Sequence, residues 1–483
     1  MALIIDVKRH IYDEGPAHHL PPSVTKAGLV SYMPEWMSGT TSTDGFVNPW
    51  PSWHKPSPTE VWRAFEWGDD TDPCIEIARR SADEALGSSK GNASDKDRAD
   101  HLLKVTAPDF STPLDGGCKM TWLGHAGILV QLPPLEDGGR PVRCLFDPMF
   151  SMRCSPSQYA GPIRSYPPPC AVEDLPPVDV VIISHSHFDH LDYDTIMALW
   201  AKDKKTVRFL VPLGNRKWFI DCGIDSDRVT EFDWWDAARL STQAGFFGLK
   251  ITCTPAQHNS GRFGDANMSL WASWYIEHAA VRGTPYRIFF AGDTGYQWHE
   301  SPGWPPIPSS HCDLSAAHLQ KLIAKVDDDS PTAKYPACPV FRQIAERLGA
   351  PDLLLLPVAV GATYDYLRSF SGPLPNSVNP FPRHSPGVTA HNHMPPWDAV
   401  RVLKVMTEAT STDKRLHPPT ALAMHWGTFI THPTEVLKTL GQLEWACQAH
   451  GVDFARSIMA PSESETSQQA LFVALSHGES VVR

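Results

Sequence analysis

The stretch "VDVVIISHSHFDHLD", Val178 to Asp192, decides how the whole chain is read. Its first half carries an apolar run that fits a strand buried on both faces. Its second half, Ile183 to Asp192, sets three histidines and two aspartates within ten residues. A regular strand would send His185 and His187 to one face, and a helix would spread His185, His187, Asp189 and His190 around its axis. Only a loop leaving a strand end lets all four converge. Imidazole and carboxylate together suit a divalent borderline cation such as Zn²⁺. Four residues so close cannot fill two coordination spheres, so further ligands must come from elsewhere. Three stand at strand-to-loop edges: His258 in "TPAQH", Asp293 in "FFAGDTG" and His425 in "AMHWGTF". Gly292 and Gly295 flank Asp293 and permit a tight turn with close approach to a metal.

The rest of the chain bounds what such a site can serve. Its 483 residues, 42% hydrophobic and 20% charged, are enough for one large domain with insertions or for two domains. A net charge of −12 repels phosphate backbones at long range and disfavours nucleic acid as a partner. The ten cysteines form no CxxC pair, which argues against a disulfide frame or a cysteine zinc site. The start, "MALIIDVKRHIYDEGP", is broken by acids and is unlike a secretory or transit peptide. No apolar run approaches a membrane span. The expectation is an intracellular protein, cytoplasmic or peripheral on a membrane.

Residues 1–115 read as an irregular N-terminal extension packed on the core. They are rich in Pro, Ser and Trp, with a short helix at "TEVWRAFEW" and a flexible, charged excursion at "SSKGNASDKDRAD". Trp50 and Trp53 are expected to cap the core rather than to face a bilayer. Residues 116–483 read as the catalytic domain. Strands are expected at "KMTWLGHAGILVQL", "RCLFDPMF", "DVVIISH", "RFLVPLG", "LKITCTPAQH", "SLWASWYIE", "YRIFFAGDTG", "DLLLLPVA" and "TALAMHWGTF". Helices are expected at "YDTIMALWAK", "PVFRQIAERLG", "PPWDAVRVLKVMTEA" and "PTEVLKTLGQLEWACQAHG". Strand groups interspersed with helices imply sheets covered by helices on their outer faces. Two Pro-rich insertions, 299–339 and 365–396, interrupt the pattern where loops shape binding sites. Their pieces "SPGWPPIP" and "VNPFPRH" suit peripheral membrane contact.

"SHSHFDHLD", the later His258 and His425, and the "GDTG" aspartate together resemble the metallo-β-lactamase superfamily. The motifs "NPWPSW", "TWLGHAGILV", "FDPMF", "SPSQYAGP", "FLVPLG", "DWW", "FFAGDTGY" and "MHWGTF" are similar to its N-acyl-phosphatidylethanolamine-hydrolysing phospholipase D branch. The likeness runs from about Phe46 to the last helix. It implies a four-layer αββα sandwich with a dinuclear zinc site at one edge. It further implies one zinc on His185, His187 and His258, the other on Asp189, His190 and His425, and Asp293 bridging. Two such cations lower the pKa of a water between them and clamp the attacking and leaving oxygens of an in-line displacement. Asp189 would orient that water or take its proton. His393 in "HNHMPP" aligns with a histidine that relatives place beside the substrate phosphate, as oxyanion stabiliser or proton donor. The implied products from N-acyl-phosphatidylethanolamine are N-acylethanolamine and phosphatidic acid.

Gln158 and Tyr159 in "SPSQY" offer an amide and a phenol to phosphate oxygens, against the alternative that their loop only packs on the sandwich. His125 in "LGHAG" reads as structural support near the metals, and His384 and His391 as plain loop residues. The partners expected are a phospholipid or small-molecule substrate, with peripheral membrane contact and a homodimer left open. Two other functions stay in play. One is the same metal site hydrolysing a lactone, amide or thioester of a small metabolite, and the other is a metal-binding scaffold without turnover.

Overall fold

The computed structural model describes residues 4–11, 26–27, 41–42, 45–87, 93–113, 117–135, 139–241, 247–261, 265–279, 286–300, 327, 330, 332–358, 360, 368, 374, 378–408, 418–456 and 469–483. Two large sheets pack face to face. The smaller has seven strands in the order Val229–Phe232, Arg208–Pro212, Val180–Ile182, Val142–Phe146, Gly127–Leu132, Lys119–Gly124, Ser480–Val482. The larger has nine, in the order Ile4–Lys8, Ala237–Ser241, Phe247–Thr254, Ser273–His278, Tyr286–Phe290, Leu353–Pro357, Thr420–Met424, Leu471–Val473, Asp453–Ala455.

Side-chain alternation explains why both faces of the smaller sheet are apolar. Val180, Ile182, Ile128, Val130, Cys144, Phe146 and Leu210 enter the core between the sheets, where Phe146 meets Phe290 at 4.5 Å between ring centroids. Their neighbours Val181, Ile183, Leu129, Leu145 and Phe209 point the other way, into a second core with Ile196, Leu199 and Trp200 of the helix Tyr193–Asp203. On the far side of the larger sheet, the helix Pro396–Glu408 lies on the strand Leu353–Pro357, flanked by the helices Val340–Leu348 and Thr434–His450. The layers therefore run helix, sheet, sheet, helix, as the resemblance implied.

The chain before residue 116 carries more regular structure than its composition suggested. Ile4–Lys8 pairs antiparallel with Ala237–Ser241 and forms the edge of the larger sheet. Helices Ile75–Leu86 and Asp95–Leu102 pack on Thr434–His450. The second of these begins inside the stretch read as a flexible excursion. Ser94 and Asp97 form a capping box there, and Arg98 pairs with Asp83 at 2.8 Å, so local hydrogen bonds order a charged segment. The excursion's residues 88–92 lie outside the described residues, as does "SPGWPPIP". Trp50 is half-buried and stacks on Trp234 at 5.3 Å, a capping position. Among the described residues no helix is long and apolar enough to cross a membrane.

The helices Ile75–Leu86 and Thr434–His450 meet at Gly441, where a Cβ would stand 1.8 Å from the carbonyl oxygen of Cys74. In an open helix Gly→Ala gains about 1 kcal/mol of propensity. Here the collision is with backbone, and overpacking costs roughly 1–3 kcal/mol. Gly441→Ala is therefore expected to lower the unfolding free energy by a net of up to ~2 kcal/mol, read as a lower urea midpoint. A stabilised variant would show that these helices do not dock in this way.

Candidate metal centre

Parallel pairing places the functional loops. Val142–Phe146, Val180–Ile182 and Arg208–Pro212 run parallel, as do Tyr286–Phe290, Leu353–Pro357 and Thr420–Met424, so the C-terminal ends within each set share an edge. The two sheets are joined there by hydrogen bonds, one between backbones and one from an indole: Ala272 N donates to Ser184 O at 2.9 Å, and Trp274 Nε1 donates to Ile183 O at 3.0 Å. The chain is strained at the same edge. His125, Asp147 and His425 are non-glycine residues with φ of 52°, 34° and 61°. Such residues cost of order 1–3 kcal/mol each and persist only where packing over-determines them.

All seven ligand residues inferred from the sequence meet at this edge. His185 Nε2 lies 2.8 Å from His187 Nδ1, and His258 Nε2 lies 3.4 Å from the same atom. Asp293 joins this group, with Oδ2 3.7 Å from His258 Nε2. Asp189, His190 and His425 make the second group. Asp189 Oδ2 stands 3.6 Å from both His190 Nε2 and His425 Nε2. Asp293 faces this group too, with Oδ2 3.2 Å from His190 Nε2 and Oδ1 3.0 Å from His425 Nε2. Asp293 thus stands between the two sets.

The nitrogen of each ring that faces away from the centre tells which atom is free to bind. His185 Nδ1 meets Ser184 Oγ at 2.8 Å, His190 Nδ1 meets Asp147 Oδ2 at 2.7 Å, and His258 Nδ1 meets the carbonyl of Asn392 at 2.9 Å. His187 is turned the other way: its Nε2 bonds the Gly261 carbonyl at 3.1 Å and its Nδ1 faces inward. These outer partners fix tautomer and ring orientation, as metal-ligating histidines require.

Three atoms test whether a cation fits. His190 Nε2, His425 Nε2 and Asp293 Oδ1 are buried, aimed inward and without a protein hydrogen bond. A tetrahedral cation at ~2.0–2.1 Å from each donor sets the donors roughly 3.3 Å apart, close to the spacings seen. Burial drives His185 and His258 well below the ordinary imidazole range, toward the neutral form that binds metal. Burial opposes charge on His425 as well, but Asp293 and Asp189 outweigh it and raise this imidazole to about 9. The donor set fits divalent cations.

Around the ligands, His393 Nε2 lies 3.1 Å from Asp293 Oδ2, with its ring centroid 4.9 Å from that of His258. His125 Nε2 lies 2.9 Å from Asp189 Oδ2. Burial, then His425, push His125 down to about 3, so its ring is neutral and Nε2 donates to the carboxylate. A cavity of about 450 Å³ opens behind the His185–His187 turn, lined by Ser186, Phe188, Tyr193, Trp218, Gly261 and Met268 among others. Gln158 is on its lining, but both ends of its amide bond the Arg153 backbone. Tyr159 is 96% exposed and is not brought to the cavity.

Several functional positions escaped sequence reasoning. Asn48 bonds both backbone groups of His258, donating to its carbonyl at 2.7 Å and accepting from its N–H at 3.1 Å. Gln257 Nε2 donates to the carbonyl of His391 at 2.7 Å, and Gln257 also bonds Ser52 Oγ. Gly295 makes room for the backbone of His391 and Asn392, not for a metal: a Cβ there would lie 1.9 Å from His391 C. The only available signal was that Asn48, Asp147 and Gly295 fall inside the motifs shared with the family.

Comparison with known proteins agrees with this geometry. A family model described as a beta-lactamase superfamily domain matches residues 142–303. An uncharacterized protein of Mycobacterium tuberculosis is 43% identical over 177 residues, 37% of this chain and 42% of that protein, so the match spans less than half of that relative's length. The N-acyl-phosphatidylethanolamine-hydrolyzing phospholipase D 1 of Caenorhabditis elegans is 30% identical over 349 residues, 71% of this chain and 73% of that protein. The mitochondrial N-acyl-phosphatidylethanolamine-hydrolyzing phospholipase D of Saccharomyces cerevisiae is 35% identical over 156 residues, 32% of this chain and 31% of that protein.

Asp147 is the outer partner with most to lose, because it is wholly buried and holds both His190 and the Ser184 N–H, the latter at 2.7 Å. Asp147→Ala should weaken metal binding by roughly 10- to 100-fold in chelator competition. Unchanged affinity would remove Asp147 from the site's support.

Proposed function

The chain belongs to the metallo-β-lactamase superfamily, and we propose that it is a metal-dependent hydrolase within it. On that premise we propose that it is a dinuclear zinc phosphodiesterase of phospholipase D type. It would cleave N-acyl-phosphatidylethanolamine to N-acylethanolamine and phosphatidic acid. The observation that carries the reading is Asp293 standing between two sets of imidazole and carboxylate donors, 3.0 Å from His425 Nε2 and 3.2 Å from His190 Nε2. The activity named for the Caenorhabditis elegans relative supports the choice of substrate.

His185, His187 and His258 would hold one zinc, Asp189, His190 and His425 the other, and Asp293 both. When bound, the cations supply Lewis acidity toward phosphoryl oxygens and lower the pKa of water. The remaining work falls to the protein. Asp189 is the most open of the ligands, 17% exposed at its side chain, and can orient a water and accept its proton. His393, next to Asp293 and backed by the Asn392 amide at 2.8 Å, would donate a hydrogen bond to a phosphoryl oxygen or a proton to the departing alkoxide. The mostly apolar cavity behind the His185–His187 turn is assigned to the lipid. Gln158 on its lining and the exposed Tyr159 nearby would meet the substrate's outer part. Exposed Val378 and Phe381, at 64% and 37%, fit a peripheral contact with the bilayer that presents it.

Incubation with N-acyl-phosphatidylethanolamine should release N-acylethanolamine and phosphatidic acid in equal amounts, from protein carrying about two zinc ions per chain. No lipid product, together with turnover of a lactone or thioester panel, would transfer the assignment to small metabolites. Asp293→Asn should lose both metal and activity, and retention of both would refute the shared-ligand role. His393→Ala should lower kcat by roughly 10²- to 10⁴-fold at unchanged metal content. Loss of zinc in that variant would make His393 a ligand instead.

A further inference from the structure

His125 occupies the turn that joins the strands Lys119–Gly124 and Gly127–Leu132, with φ of 52°. Asparagine or glycine makes a left-handed turn at less cost than a histidine. Neither could do what this side chain does. Its Nε2 donates to Asp189 Oδ2 at 2.9 Å, while its backbone carbonyl accepts the His425 N–H, also at 2.9 Å. Its own N–H donates to Thr428 Oγ1 at 2.7 Å, and Trp122 Nε1 donates to its carbonyl at 2.8 Å. The ring lies 4.1 Å from that of His425, centroid to centroid. One residue is thus tied to two donors of the same group, Asp189 from one sheet's loop and His425 from the other's.

We propose that His125 is a positioning residue: it turns the Asp189 carboxylate toward the metal centre and seats His425 beside it, so that the second cation's ligands are set before the cation arrives. A carboxylate rotates about two single bonds, and Asp189 is the most open ligand. A hydrogen bond to Oδ2, the oxygen that also stands 3.6 Å from His190 Nε2 and from His425 Nε2, removes that freedom. The inference rests on the reading of this edge as a two-cation site. It does not depend on the lipid substrate, because metal binding is what is measured.

The test compares His125→Asn and His125→Gln in the full chain. Zn²⁺ is titrated against a competing chelator, bound zinc is counted at saturation, and the melting temperature of the metal-free protein is recorded. Asn keeps the turn but falls short of Asp189. It should leave the metal-free protein folded, with a lowered but still cooperative melting transition, still bind two zinc ions at saturation, and weaken the second by roughly 10- to 100-fold. Gln, whose amide N–H reaches the carboxylate, should recover part of that loss. If His125→Asn does not fold, His125→Gly, which carries no steric cost at this φ, takes its place with the same expectation. Undiminished affinity in the Asn or Gly variant would reduce His125 to a turn residue. Loss of one full zinc at saturation would make it a ligand. Either result overturns the proposal.

Discussion

The constraint on which the structure depends is the convergence of electron-pair donors in a closed space. His190 Nε2, His425 Nε2 and Asp293 Oδ1 are buried and meet no protein donor or acceptor in hydrogen-bonding geometry. Each orphan of this kind costs about 1–3 kcal/mol, and more where charge is involved. A divalent metal would satisfy them together, and without one they leave an unmet demand at one edge of the sandwich. The protein holds the rings from behind. Ser184, Asp147, the Gly261 carbonyl and the Asn392 carbonyl each occupy the nitrogen that does not face the centre.

This demand reaches well beyond the loops that carry the ligands. Asn48, far earlier in the chain, pins the backbone of His258 through two hydrogen bonds. Ser52 and the carbonyl of His391 engage Gln257, the residue before that ligand. The N-terminal region therefore does more than shield apolar surface. It fixes the height at which His258 leaves its strand, and through the helices packed on Thr434–His450 it is anchored to the helix layer that covers the larger sheet.

The centre was legible in the sequence because its donors are concentrated. Four lie in one loop, and the other three sit where an apolar run ends in Gly, Pro or a polar pair. The layers were legible for a related reason: strands buried on both faces read as continuous apolar runs, and Val180 to Ile183 divides evenly between two cores. What could not be read were pairings over long separations. Nothing in "IIDVK" or "SVV" marks them as edge strands beside Ala237–Ser241 and Lys119–Gly124, since their partners, not their periodicity, define them. The helix Asp95–Leu102 was hidden by its charge, which local caps and ion pairs offset. Gln158 and Tyr159 were chosen for their chemistry, and their direction, which depends on their loop, was not legible: the Gln158 amide bonds Arg153 and the phenol faces solvent, away from the donor cluster.

The same geometry restricts how such a protein can change its substrate. The segment Ser385–Met394 presents His393 to Asp293, holds the tautomer of His258 through the Asn392 carbonyl, and lies against Gly295 so closely that no side chain fits there. His391 and Asn392 thus support the placement of His258 as much as that of His393. A change in this stretch that moves His393 also alters how the His258 imidazole is held, and the two effects cannot be separated by loop redesign. Among the described residues of the earlier part of the same insertion, Val378 and Phe381 are exposed and belong to neither set of donors. Variation at these two positions can accumulate without disturbing the donor cluster, whereas beyond Ser385 the insertion is bound to the chemistry it borders.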